Sequence, residues 1–110
     1  MSYKYHPRGM PRRFMEGAPD IVRRSIVDII RIDPPAPLDF DIVFRDVNGE
    51  ASRAEMTGLD FDTRGSRGCH FFLRPHEMRD YRNRNRRKRV AWSDLPEATR
   101  TAIVTYLEEE

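Results

Sequence analysis

Phe40-Asp41-Ile42-Val43-Phe44-Arg45 is the clearest strand in the chain. Phe40, Ile42 and Phe44 alternate with Asp39, Asp41 and Arg45, so the apolar set lies on one face and the charges on the other. Asn48-Gly49 follows, a pair suited to the left-handed backbone of a hairpin turn. A two-residue turn would set Phe44 against Arg53 and Ile42 against Glu55, mixing core with charge. A three-residue turn, Val47-Asn48-Gly49, sets Phe44 against Ser52, Ile42 against Ala54 and Phe40 against Met56, and this register is expected because a one-residue slip turns every side chain to the wrong face. It leaves Asp41 opposite Glu55 on the outer face, a like-charge pair that calls for basic cover.

Upstream of this strand, Val22, Ile26, Ile29 and Ile30 recur at helical spacing and predict an amphipathic helix from Pro19 to Ile32, with Arg23, Arg24 and Asp28 away from its apolar stripe. Pro19 suits a first helical turn, and Pro34, Pro35 and Pro37 stiffen the connector that follows. Downstream, residues 62–68 read as a loop and Cys69 to Arg74 as a third strand ended by Pro75. His76 to about Lys88 reads as a helix poor in apolar residues. The last helix is expected to use Asp94 as N-cap, with Glu97 completing a capping box, and to bury Leu95, Ala98, Ala102, Ile103, Tyr106 and Leu107. Together these elements predict an α+β fold of order α-β-β-β-α-α, a three-stranded, mainly antiparallel sheet packed against helices.

The chain has 110 residues, which suits one domain. Residues 1–17, with Pro7, Gly9, Pro11 and Gly17 interrupting any helix, read as a basic extended arm, and residues 18–110 as a single α+β domain containing a basic segment at 76–92. No apolar stretch approaches the ~18 residues of a membrane span, and the N-terminus lacks the apolar region of a signal peptide. One cysteine, Cys69, excludes an intramolecular disulfide framework. A cytoplasmic location without membrane contact is therefore expected.

Net charge is +2, but it is strongly segregated: residues 1–24 carry +4, 25–62 carry −6, 63–92 carry +8 and 93–110 carry −4. Such segregation governs partners more than fold. The run Arg82-Asn83-Arg84-Asn85-Arg86-Arg87-Lys88-Arg89 aims several guanidinium groups in one direction whether helical or extended, which suits phosphates spaced along a nucleic-acid backbone. The competing reading is that the acidic hairpin face, Asp39, Asp41 and Glu55, neutralises the run; partial neutralisation is expected, with that face holding the start of the run near Arg79 and Arg82 while Arg86 to Arg89 project free.

Thr63-Arg64-Gly65-Ser66-Arg67-Gly68 offers glycine-freed N–H groups, hydroxyls and two arginines to an anion. It lacks the Lys-Ser/Thr pair of a P-loop and feeds a strand, so a plain connecting loop is the commoner meaning. Cys69, His70, His76 and His6 do not have the spacing of a zinc site. Asp60 and Asp62 are candidates for a divalent ion or, more simply, for solvation of the hairpin's end. Trp92 is expected in the core beside the last helix. Phe44 to Glu50, followed by a strand and Arg79-Asp80-Tyr81-Arg82, resembles segments of the WYL domains of bacterial regulators over less than half the chain; the Trp-Tyr-Leu signature is missing, and no family is identified.

The function expected from sequence is non-catalytic binding of nucleic acid, DNA or RNA, with weak sequence specificity. The contacts fall to Arg82, Arg84, Arg86, Arg87, Lys88 and Arg89, with Arg79, Arg64, Arg67, Arg12 and Arg13 assisting. The alternative is a protein-interaction or assembly adaptor, a small subunit of a larger complex or virion, that binds an acidic protein. A small ribonuclease using His70 and His76 as acid and base ranks third. No metal and no cofactor are expected.

Overall fold

The computed structural model describes residues 9–32, 39–44, 56–73 and 75–109. A short 3-10 turn at Arg12–Met15 leads into helix α1 (Asp20–Ser25). Strands β1 (Ile26–Ile32), β2 (Asp39–Phe44), β3 (Met56–Asp62) and β4 (Arg67–Leu73) follow, then helix α2 (Pro75–Arg84), 3-10 turns at Arg86–Lys88 and Trp92–Asp94, and helix α3 (Glu97–Glu109). The strands form an antiparallel meander in sequence order. The α+β class and the antiparallel sheet hold, with four strands where three were expected.

The fourth strand comes from the predicted first helix. α1 stops at Ser25, and Ile26-Val27-Asp28-Ile29-Ile30-Arg31-Ile32 is extended. Five of these seven residues are β-branched, which lose χ1 freedom in a helix and pack well on a pleated surface. Residues 26–30 are all buried, so their near-continuous apolar run fits helical and strand periodicity alike.

The hairpin register is corrected as well. Phe40 pairs with Phe61, Ile42 with Leu59 and Phe44 with Thr57, not with Met56, Ala54 and Ser52. The sequence Leu59-Asp60-Phe61-Asp62 alternates apolar and acidic just as β2 does, so pairing the two sets gives a more apolar inner face than the short turn would. The Val47-Asn48-Gly49 turn and Glu55 lie outside the described residues. Asp41 faces Asp60.

The sheet is covered on both sides. On one, Ile26, Ile29, Phe40, Ile42, Phe44, Leu59 and Phe61 pack with Val22 of α1, Ile103 and Leu107 of α3, and Trp92 and Leu95. Tyr106 stacks near Phe44 and meets Phe61 edge-on, with ring centroids 5.3 and 6.3 Å apart. Met10, Met15 and Ala18 belong to this core, so the described end of the expected arm is docked against it. On the other side α2 brings Met78 and Tyr81 to Val27 and Val43.

α3 begins at Glu97, two residues later than a cap at Asp94 requires, because Trp92–Asp94 is a 3-10 turn and Leu95 is extended. Ala98 is exposed, and Thr99 takes the buried place, donating its hydroxyl to the Asp62 carbonyl at 2.8 Å.

Candidate functional site

The side of the sheet under α2 carries Asp28, Asp41 and Asp60. A bulge in β1 decides the first of these. Ile26 faces Phe44, yet Asp28 faces Val43, so Val27 and Asp28 together oppose one partner residue. Without that extra residue, Asp28 would fall opposite Ile42 in the apolar core. With it, Asp28 points beneath α2, where it is 0% exposed.

Burial of a carboxylate requires compensation. Oδ1 of Asp28 accepts the Ile29 N–H at 3.0 Å and Arg89 Nε at 2.8 Å. Oδ2 accepts Arg82 Nε at 2.9 Å and Arg89 Nη2 at 3.0 Å, and Arg82 Nη2 also reaches the Val27 carbonyl at 3.3 Å. Arg89 thus grips the carboxylate with two parallel bonds while Arg82 enters from α2. One acid between two arginines anchors the basic segment at two points and leaves the cluster net positive.

Asp41 accepts a hydrogen bond from the Tyr81 hydroxyl. Burial, then that bond, then the charges of Asp41, Asp60 and Asp28 keep the Tyr81 phenol protonated well above its ordinary range. Asp60, directly across from Asp41, has its carboxyl pushed up to about 7, first by burial, then by a hydrogen bond with Asp41, then by the charges of Asp41 and Asp39. Gly68 of β4 lies over Asp60 so closely that a Cβ there would sit 2.9 Å from the Asp60 Cβ.

The predicted basic residues separate into three groups. Arg82 and Arg89 are the anchors. Between them, Arg84 ends α2, where its charge suits the negative end of the helix dipole, and Arg86 and Arg87 stand exposed in the next turn beside half-buried Lys88. The Asn85 side chain bonds back to the Tyr81 carbonyl at 2.8 Å, closing the helix and fixing where that turn begins. Arg12 and Arg13 are exposed on the N-terminal turn, and the guanidiniums of Arg13 and Arg89 lie 5.2 and 5.8 Å from the Phe14 ring centroid. The two basic segments, far apart in sequence, therefore meet around one aromatic ring.

Arg64 and Arg67 lie elsewhere. They belong to the β3–β4 connection and to β4, at the sheet edge opposite β1, and Arg67 covers the Tyr106 ring at 5.7 Å. Arg79 is half exposed on α2, 3.9 Å from Asp80. The glycine-rich loop holds its own anion: the Asp62 carboxylate accepts the N–H groups of Arg64 and Ser66, both at 2.9 Å. His76 is exposed on α2. Among the described residues, no group of three or more His, Cys, Asp or Glu side chains is placed to hold a metal ion, and no helix is long and apolar enough to cross a membrane.

Sequence reasoning did not place Asp28, Tyr81 or Asp60 together. The signal for Asp28 was an acid inside an isoleucine-rich run, which asks for a buried cation once that run is a strand. No protein-family model, curated protein or solved structure matches the chain.

Proposed function

We propose that this protein binds nucleic-acid backbone without catalysis, through a fixed array of exposed arginines. The observation that carries the reading is the two-point anchor on Asp28. It holds the segment between Arg82 and Arg89 in place, so Arg84, Arg86 and Arg87 are presented without the ordering cost of a loose chain. Arg12 and Arg13, brought alongside through Phe14, extend the array. Guanidinium forks match phosphate oxygens, and each contact releases condensed counterions. The array presents charge and planar donors rather than a set of base-reading side chains, which supports weak sequence specificity.

Five exposed arginines set the expected salt dependence. On duplex DNA, log K falls with log salt at a slope of about −4 to −5. Changing Arg84, Arg86 and Arg87 to Gln makes the slope shallower by about 2.5 while the unfolding transition stays in place, because none of the three touches Asp28. Absence of binding to both DNA and RNA at low salt overturns this reading and favours the acidic-protein adaptor.

A further inference from the structure

Asp41 and Asp60 are cross-strand partners, facing each other on the side of the sheet that α2 covers. Directly opposed side chains in an antiparallel pair stand about 5 Å apart at Cβ, where two like charges destabilise the pairing. Asp41 is buried beneath Tyr81, and Asp60 is pressed against the backbone of Gly68. Among the described residues, Asp39 of β2 and Tyr81 of α2 act directly on the pair, Asp28 of β1 adds its charge at Tyr81, Asp62 follows Asp60 on the same face of β3, and Arg82 and Arg89 join through Asp28. Both arginines bond Asp28. Arg82 and Arg89 also bound the stretch that carries the exposed arginines of the proposed interface.

We propose that the Asp41–Asp60 pair is a proton-operated latch that sets how firmly α2, and with it the arginine array, is held against the sheet. With one proton on the pair, Asp41 accepts two hydrogen bonds, one from Tyr81 and one from the Asp60 carboxyl, and α2 is tied to both β2 and β3. When that proton is released to solvent, the Asp60 bond becomes a contact between two carboxylates, with Asp39 nearby as a third. Asp41 is buried with the Tyr81 hydroxyl bonded to it, so hydrating its charge competes with the Tyr81 contact. The elevated affinity of Asp60 for its proton places the change close to neutral pH. A carboxyl that holds its proton more tightly when folded contributes stability that is fully present below its unfolded pKa and is lost as pH rises toward the folded one. The latch therefore weakens between about pH 4 and about pH 7, and the contribution of the shared proton is lost above that range. It regulates the array proposed above and rests on that reading only for its effect on binding.

The test is backbone hydrogen exchange of α2, corrected for intrinsic rates, at about pH 6 and about pH 8.5. Wild-type protection of α2 falls by about tenfold across that interval while α3 changes by less than about twofold. Asp60→Asn, whose amide donates to Asp41 at every pH, keeps α2 protection constant. Equal α2 protection in wild type at both pH values, or a drop that persists in Asp60→Asn, overturns the latch. A direct carboxyl NMR titration of wild type gives a second decision that does not depend on the variant folding: an Asp60 midpoint in the ordinary range near 4 overturns it as well. Affinity for a single-stranded oligonucleotide at constant ionic strength falls by about fivefold in wild type over the same interval and is flat in Asp60→Asn. If the oligonucleotide is not bound at either pH, the nucleic-acid reading fails, and the exchange data still decide the latch.

Discussion

The two sides of the sheet are held by different physics. Under α1 and α3 the contact is apolar: Phe61, Ile42, Leu59 and Ile103 are fully buried together with Trp92 and Leu95. Under α2, among the described residues, the apolar cluster is small, Val27, Val43 and Met78 with part of Tyr81, and ionic and hydrogen-bonded contacts accompany it. Apolar burial is non-directional and indifferent to moderate salt and pH. A buried carboxylate between two arginines is directional, and its worth depends on every partner being in place. The first side keeps the domain folded. The second sets the position of the arginines.

The most severe way to break this comparison is Asp28→Ala, which leaves Arg82 and Arg89 buried without their acid and costs about 3–5 kcal/mol. Phe61→Ala on the other side has a similar cost, about 3–5 kcal/mol, through the cavity it leaves. Hydrogen exchange separates the two. Asp28→Ala speeds exchange first in α2 and residues 86–90, whereas Phe61→Ala speeds it everywhere through global unfolding. Replacing all three charged residues by apolar ones of similar size, Asp28→Leu with Arg82→Met and Arg89→Met, recovers most of the loss in chemical denaturation, since burying ions gains little over burying carbon.

A smaller effect comes from Tyr81→Phe. It removes one hydrogen bond to a charged acceptor and keeps the ring on Val27 and Val43, so the unfolding free energy falls by about 1.5 kcal/mol. Gly65→Ala tests the apolar side at its rim. Gly65 has φ +85, and a Cβ there would stand 2.7 Å from the Ala98 carbonyl oxygen in the first turn of α3. The expected loss is about 1–2 kcal/mol, seen as a lower denaturation midpoint with oligonucleotide affinity unchanged, because the arginine array lies at the other sheet edge.

The apolar side was largely legible in the sequence. Alternation picked out Phe40, Ile42 and Phe44, and Ile103, Tyr106 and Leu107 fell on one stripe of the last helix, while Leu95 is buried just ahead of it. Two errors there had physical causes. Asn48-Gly49 is a strong local turn signal, and it outweighed the matching alternation of Leu59 and Phe61 further along. Val22, Ile26, Ile29 and Ile30 fit a helix as well as a buried strand, and only β-branching favours the strand. The charged side was legible as a tendency. Segregation of charge predicted that the arginine run would meet acid, and it does. The acid that holds Arg82 and Arg89 is Asp28, which was not among the expected partners, Glu55 lies outside the described residues, and Arg89 is anchored where it was expected to project. A one-residue bulge and the strand identity of β1 created that pairing; β-branching hints at the strand, but the bulge leaves no local mark in the sequence.

β1 is the first strand of the sheet, and its outer edge is covered by the segment that follows the basic turn. Val90 N–H donates to the Ile29 carbonyl at 2.9 Å, and Arg89 bridges Ile30 in antiparallel fashion. The same residues that hold the arginine array thus shield an isoleucine-rich strand from pairing with a second molecule. Peeling residues 89–90 away leaves Ile26–Ile32 with unsatisfied backbone groups along a β-branched run, the profile of a template for intermolecular sheet growth. Solubility and presentation of the basic surface are therefore tied to one seam, and variants that loosen it will be lost to aggregation as well as to weakened binding.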